Sequence, residues 1–207
     1  MERIYRGILF MIGFVGVVWH IMSGGMGMLM YYTVLSNIIT VLFLAYLMTQ
    51  RTQNDKTLRL KGGVTIMITL TFAVYHFLLS PTVSAEDFYQ IDNLICHYIL
   101  PLGFLVDTLW FDQVNYRSYD PILWGGFPLA YFVFILANVW FLKISIPGSA
   151  GPSLDSVYPY FFMDAEKYGW ASVLQYSVAI FVVYVTAGYV LCLIKATIAK
   201  RRYKKCE

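Results

Sequence analysis

Five polar side chains interrupt otherwise apolar stretches of this sequence: His20, Thr33, Asn37, His76 and His97. Each is costly to place in hydrocarbon, so each is a candidate for function. The imidazoles could act as bases or as axial ligands to haem, and the hydroxyl and amide could donate and accept hydrogen bonds. Thr33 and Asn37 are spaced i, i+4, which sets them on one helical face. All three histidines fall towards the same ends of their segments, so five side chains from four segments share a depth, as a site opening outward requires. The bland alternatives are specific too. A threonine in a membrane helix commonly returns its hydroxyl to its own backbone at i−4, and a single histidine near a helix end is commonly packed or interfacial, the reading given to His20 and His76. His97 stands apart because Pro101 follows it, where a missing backbone donor can open a kink.

These residues must be positioned by membrane spans. Of the 207 residues 59% are hydrophobic and 13% charged, outside the range of ordinary soluble domains. Six apolar stretches approach the length of about 20 residues that crosses a bilayer. They are expected at Gly7 to Met22, Met26 to Met48, Val64 to Ser80, Leu94 to Trp110, Ile122 to Leu142 and Trp170 to Ile194, giving one all-α six-span bundle with no soluble domain. The first stretch resembles a signal peptide, but it lacks a small-residue cleavage site and is kept as a span.

Orientation follows from the 15 Lys and Arg. Arg3, Arg6, Arg51, Lys56, Arg59, Lys61, Arg117, Lys195, Lys200, Arg201, Arg202, Lys204 and Lys205 fall on one side, and only Lys143 and Lys167 on the other. That partition places both termini in the cytoplasm. The net charge of +3 is therefore a topology signal, and no nucleic-acid partner is implied. Cys96, Cys192 and Cys206 show no metal-binding or disulfide spacing, so no metal site is expected. The tail Lys204-Lys205-Cys206-Glu207 resembles a dilysine retrieval signal and equally suits an anionic leaflet. The expected location is a bacterial cytoplasmic membrane, or the endoplasmic reticulum in a eukaryote. Asp107 lies about a turn from the cytoplasmic end of the fourth span, where it could snorkel near Arg117. The long outer loop, Lys143 to Gly169, contains Tyr158-Pro159-Tyr160-Phe161-Phe162 and is expected to lie back on the bundle or at the interface.

The chain resembles the androgen-induced membrane proteins and their bacterial six-helix relatives. The likeness rests on Tyr32-Thr33-Val34-Leu35-Ser36-Asn37, on His97-Tyr98-Ile99-Leu100-Pro101 followed by Asp107, and on Tyr158-Pro159-Tyr160-Phe161. In the animal motif one more residue separates the His from the Pro. The resemblance implies a threonine hydrolase of fatty acid esters of hydroxy fatty acids, with Thr33 as nucleophile and His97 as its base, membrane lipids as surroundings and no cofactor. A threonine hydroxyl is a poor nucleophile until a neutral imidazole within hydrogen-bond reach takes its proton. Asn37, Ser36 or a tyrosine hydroxyl such as Tyr158 or Tyr160 could face the developing oxyanion. Asp92, or a backbone carbonyl, could orient His97; Asp107 and His76 are further supporting candidates. The rival reading is a non-catalytic lipid or small-solute binder, or a haem carrier.

Overall fold

The computed structural model describes residues 1–151 and 154–203, so the dilysine-like tail lies outside the described residues. Among the described residues six helices are long and apolar enough to cross a membrane: α1 (Glu2–Gly24), α2 (Tyr32–Thr49), α3 (Asp55–Thr82), α4 (Ile91–Phe111), α5 (Asp120–Leu142) and α6 (Ala165–Tyr203). The three most buried helices are α2, α3 and α4, while α1, α5 and α6 turn most of their surface outward. Leu44, Met67, Ile68, Leu100 and Phe104 form the centre of the main core. Small residues let the helices come this close. A Cβ on Gly16 of α1 would stand 2.3 Å from the Ile95 side chain of α4.

Several elements begin elsewhere than hydropathy indicates. The second span does not start at Met26: Met26–Met30 is a 3-10 turn after Gly25, whose φ of 76° ends α1. The helix proper starts at Tyr32, which makes Thr33 its second residue. α3 starts at Asp55 rather than Val64, capped by the Asn54 side chain accepting from the Thr57 N–H at 2.9 Å. The long outer loop is not helical or irregular throughout, for Ile146–Gly151 and Leu154–Ser156 pair as an antiparallel hairpin, β1 and β2. Tyr31 ties it to the bundle by donating to the Pro147 carbonyl at 2.8 Å.

Both α3 and α4 widen into a π turn, at Tyr75–Leu79 and Ile95–Ile99. In each case a proline stands two residues after the turn, Pro81 and Pro101. A proline offers no N–H and its ring pushes away the carbonyl a turn before it, so a helix that continues past one locally changes its hydrogen-bond register.

At the end expected to face the cytoplasm lies a buried charge cluster that hydropathy hides. Asp107 does not snorkel towards Arg117; it is fully buried and accepts from Arg6 Nε at 2.9 and 3.0 Å, and it pairs with Lys61. Arg6 and Lys61 both also donate to Asp112, at 2.9 and 2.8 Å. Lys195 of α6 closes the group by donating to the backbone carbonyls of Thr108 and Asp112 at 2.9 and 2.6 Å. These contacts explain why α1 runs back to Glu2 and α3 to Asp55 through residues that count as polar. Asp107→Ala leaves Arg6 and Lys61 short of a partner in the interior, a loss of about 3–5 kcal/mol. The expected outcome is a large fall in the melting temperature of the detergent-solubilised protein, with a smaller fall for Asp107→Asn.

Candidate active site

The π turn in α4 decides what surrounds His97. The Leu100 N–H bonds back to the Ile95 carbonyl, and Pro101 has no N–H to offer, so neither of the two groups that could pair with the Cys96 carbonyl from within the helix does so. Asn37 of α2 supplies the missing donor, its amide nitrogen donating to the Cys96 carbonyl at 3.0 Å and to the Thr33 carbonyl at 2.7 Å. Both partners are carbonyls, which fixes the orientation of the amide. One side chain thus ties the backbone of the Thr33 turn to the backbone beside His97.

Across that tie, the Thr33 hydroxyl lies 3.3 Å from His97 Nε2. His97 Nδ1 lies 3.1 Å from the Asn93 carbonyl. A carbonyl can only accept, so Nδ1 carries the proton and the neutral ring turns the Nε2 lone pair towards Thr33, whose O–H donates to it. Thr33 sits in the first turn of α2, so its hydroxyl has no full helical turn behind it to bond back to, and the commonest structural use of a membrane threonine does not apply. Both residues are buried. Tyr75, in the π turn of α3, stacks on the His97 ring with centroids 3.8 Å apart and planes 26° apart. Its hydroxyl accepts from the Asn93 side chain at 2.6 Å.

Asp92 reaches His20 rather than His97, with its carboxylate 3.0 Å from His20 Nδ1; the rings of His20 and His97 stand 6.4 Å apart. His76 is exposed, packs on Phe72 and bonds the Tyr98 hydroxyl at 3.1 Å. The structure gives Asn37 and Ser36 a different task from stabilising an oxyanion. Asn37 has committed its amide donors, and the Ser36 hydroxyl donates to the Thr33 carbonyl at 3.0 Å while pairing with Thr71 at 2.7 Å. Asp107 lies ten residues beyond His97 on α4, roughly 15 Å along the axis. Tyr158 is buried against α5 and faces a separate cleft with Ser145 and Lys167.

Tyr160 does come to Thr33. α2 has no side-chain cap at Tyr31; its first N–H, of Tyr32, donates to the Tyr131 hydroxyl at 3.1 Å. The Tyr160 hydroxyl lies beside the Thr33 hydroxyl and the N–H groups of Tyr32 and Thr33, and burial pushes its pKa above the ordinary value. It is therefore a neutral O–H at physiological pH.

No protein-family model, curated protein or solved structure matches this chain. The site stands on its geometry alone.

Thr33 also lines a cavity of about 290 Å³, walled mostly by apolar side chains of α3, α5 and α6 and by Tyr75, which stacks on His97. No histidine lines the cavity among the described residues, and both His97 nitrogens are engaged within the protein, so neither the cavity nor His97 fits haem ligation. Sequence reasoning missed Tyr75 and Asn93. The signal that was present is a proline soon after a histidine in neighbouring spans, Pro81 five residues after His76 and Pro101 four after His97.

Pro101→Ala supplies an N–H at position 101 and removes the reason for the π turn. Closing it rotates the preceding residues by about 100°, the helical angle of one residue, and carries His97 away from Thr33. Labelling of Thr33 by an activated phosphonate ester should fall with Pro101→Ala while the protein still inserts and remains monodisperse in detergent.

Proposed function

We propose that this protein is a membrane-embedded lipid ester hydrolase working through an acyl-threonine intermediate, with its termini in the cytoplasm and its site near the opposite face. The observation that carries the reading is the pairing of the Thr33 hydroxyl with a neutral His97 Nε2 whose tautomer is set by the Asn93 carbonyl. The sequence resemblance adds fatty acid esters of hydroxy fatty acids as the substrate class, and the apolar cavity beside Thr33 suits an acyl chain. A bacterial cytoplasmic membrane is the proposed location.

In this scheme His97 Nε2 takes the proton as Thr33 Oγ1 attacks the ester carbonyl carbon. Negative charge gathers on the carbonyl oxygen, where the Tyr160 O–H and the Thr33 N–H are the donors beside the Thr33 hydroxyl, aided by the positive end of the helix. The C–O bond to the alcohol then breaks, and His97 returns its proton to the leaving oxygen. Water attacks the acyl-threonine with His97 again as base, releasing the acid and restoring the hydroxyl. His20, Asp92 and Asn93, none of which lines the cavity, make the surroundings of His97 polar, which suits entry of that water.

If Thr33 and His97 form one unit, Thr33→Ala and His97→Ala should each lower kcat for a long-chain ester by about 10²–10⁴-fold. The double variant should be little worse than either, because members of one catalytic unit are not additive. Thr33→Ser keeps the hydroxyl and should retain measurable activity. Steady-state hydrolysis in detergent micelles reads all four. Normal turnover by folded Thr33→Ala removes Thr33 as the nucleophile and leaves either a different nucleophile or lipid binding at the apolar cavity as the role of this site.

Orientation is tested separately. Cysteines placed at Glu86 and at Thr52 should differ in reaction with a membrane-impermeant maleimide added to intact cells, Glu86→Cys reacting and Thr52→Cys not. The opposite pattern inverts the topology and opens the site to the cytoplasm.

A further inference from the structure

The cavity beside Thr33 does not end inside the protein. Two of its walls are α5 and α6, which press together towards one end. A Cβ on Gly125 would stand 2.8 Å from the Phe181 ring, and a Cβ on Gly188 would stand 2.9 Å from Pro121. Towards the other end Trp140 and Trp170 approach again, with ring centroids 6.1 Å apart. Between these contacts the cavity is rimmed by Leu129 of α5 and by Leu174 and Val178 of α6, which are 52%, 53% and 61% exposed. All three are apolar and lie within helices long enough to cross a membrane. Side chains exposed there face acyl chains rather than water, so the gap opens sideways into the bilayer.

The geometry points to a lateral slot between α5 and α6 through which one acyl chain of a bilayer-resident ester reaches Thr33, with the rest of the chain left in the membrane. This inference rests on the hydrolase reading and adds how that site selects its substrate. A cavity of about 290 Å³ is at or below the small end of ordinary ligand pockets, roughly 300–1,000 Å³, and cannot enclose a long acyl chain together with a second chain. An open slot need not enclose it. The carbonyl sits at the polar end, by Thr33 and Tyr160; the first methylenes fill the cavity, and the remainder passes between Leu129 and Val178 into lipid. Such a site sets no upper limit on chain length. It favours substrates already dissolved in the bilayer, where the chain needs no transfer out of water.

The test is the dependence of rate on acyl length in liposomes, with decanoyl, palmitoyl and stearoyl esters of one alcohol. The wild type should show a plateau over the two longer chains. Val178→Trp, or independently Leu129→Trp, narrows the slot at a lipid-facing position where a larger ring meets no packed core. Either should turn the plateau into a cut-off, lowering the palmitoyl-to-decanoyl ratio of kcat/KM by about tenfold or more, the size of effect a pocket exerts through chain length. An unchanged ratio in both variants overturns the slot. Binding is read separately by photo-cross-linking a fatty ester with a diazirine at its chain terminus to Thr33→Ala in liposomes. Adducts on α5 and α6 near Leu129, Leu174 and Val178, lost on adding excess unlabelled ester, support the slot whether or not the protein is a hydrolase. Adducts no richer there than on the outward face of α1 around Trp19 and Met22 overturn it. Loss or retention of hydrolysis with Thr33→Ala decides the hydrolase reading by itself.

Discussion

Inside a bilayer no water is available to satisfy a backbone carbonyl that its own helix has abandoned, and that constraint shapes the centre of this protein. Pro101 and the π turn before it leave the Cys96 carbonyl without a helical partner. The bundle answers with Asn37, which bonds that carbonyl and the Thr33 carbonyl together. A cost of the order of a few kcal/mol for an unpaired polar group in an apolar interior makes the tie hard to give up. The separation of Thr33 from His97 is therefore fixed through backbone atoms rather than through the soft torsions of the two side chains. π turns recur at functional sites in helices, and here the turn in α3 brings Tyr75 onto the face of the imidazole that the turn in α4 has repositioned.

The surroundings of the pair divide by polarity. His97 has His20, Asp92 and Asn93 for neighbours, whereas Thr33 borders an apolar cavity. An ester and water are poor co-solutes, and on the proposed hydrolase reading the site must receive both. On that reading, Thr33 and His97 on the boundary let each reactant stay in the medium that suits it. The outer loop contributes through Tyr160, which stacks on Phe162 with centroids 5.1 Å apart and edges onto Tyr31. This aromatic packing makes the phenol part of the bundle wall.

The six helices were legible because hydropathy reports burial in lipid directly. Their ends were less so, since the same measure reads Arg6 and Lys61 as polar and cannot register that Asp107 and Asp112 neutralise them. The start of α2 was missed because Met26–Met30 is as apolar as a helix and only the φ of Gly25 separates it from α1. That error matters chemically, for it hid the position of Thr33 in a first turn whose N–H groups meet the hydroxyls of Tyr131 and Tyr160. The depth shared by Thr33, Asn37 and His97 was visible in the sequence, and the structure brings these three together. That His20 takes Asp92, and that Asn37 spends its donors on carbonyls, depends on helix rotation. A π turn alters rotation without leaving a simple periodic trace.

The charge cluster at the far end of the bundle bears on how the chain is made. Arg6 leaves the ribosome about a hundred residues before Asp107 and Asp112, and Lys61 about fifty before them. Until α4 has been synthesised, both cations must wait at the membrane surface or in the insertion machinery, since neither can enter hydrocarbon alone. Arrival of α4 releases them together, and the last helix then seals the group when Lys195 meets the end of α4. Assembly is thereby ordered in time: before α4 exists Arg6 has only Glu2 of its own helix as a counter-charge and Lys61 has neither of its carboxylate partners, so α1 and α3 complete their pairing only once α4 arrives.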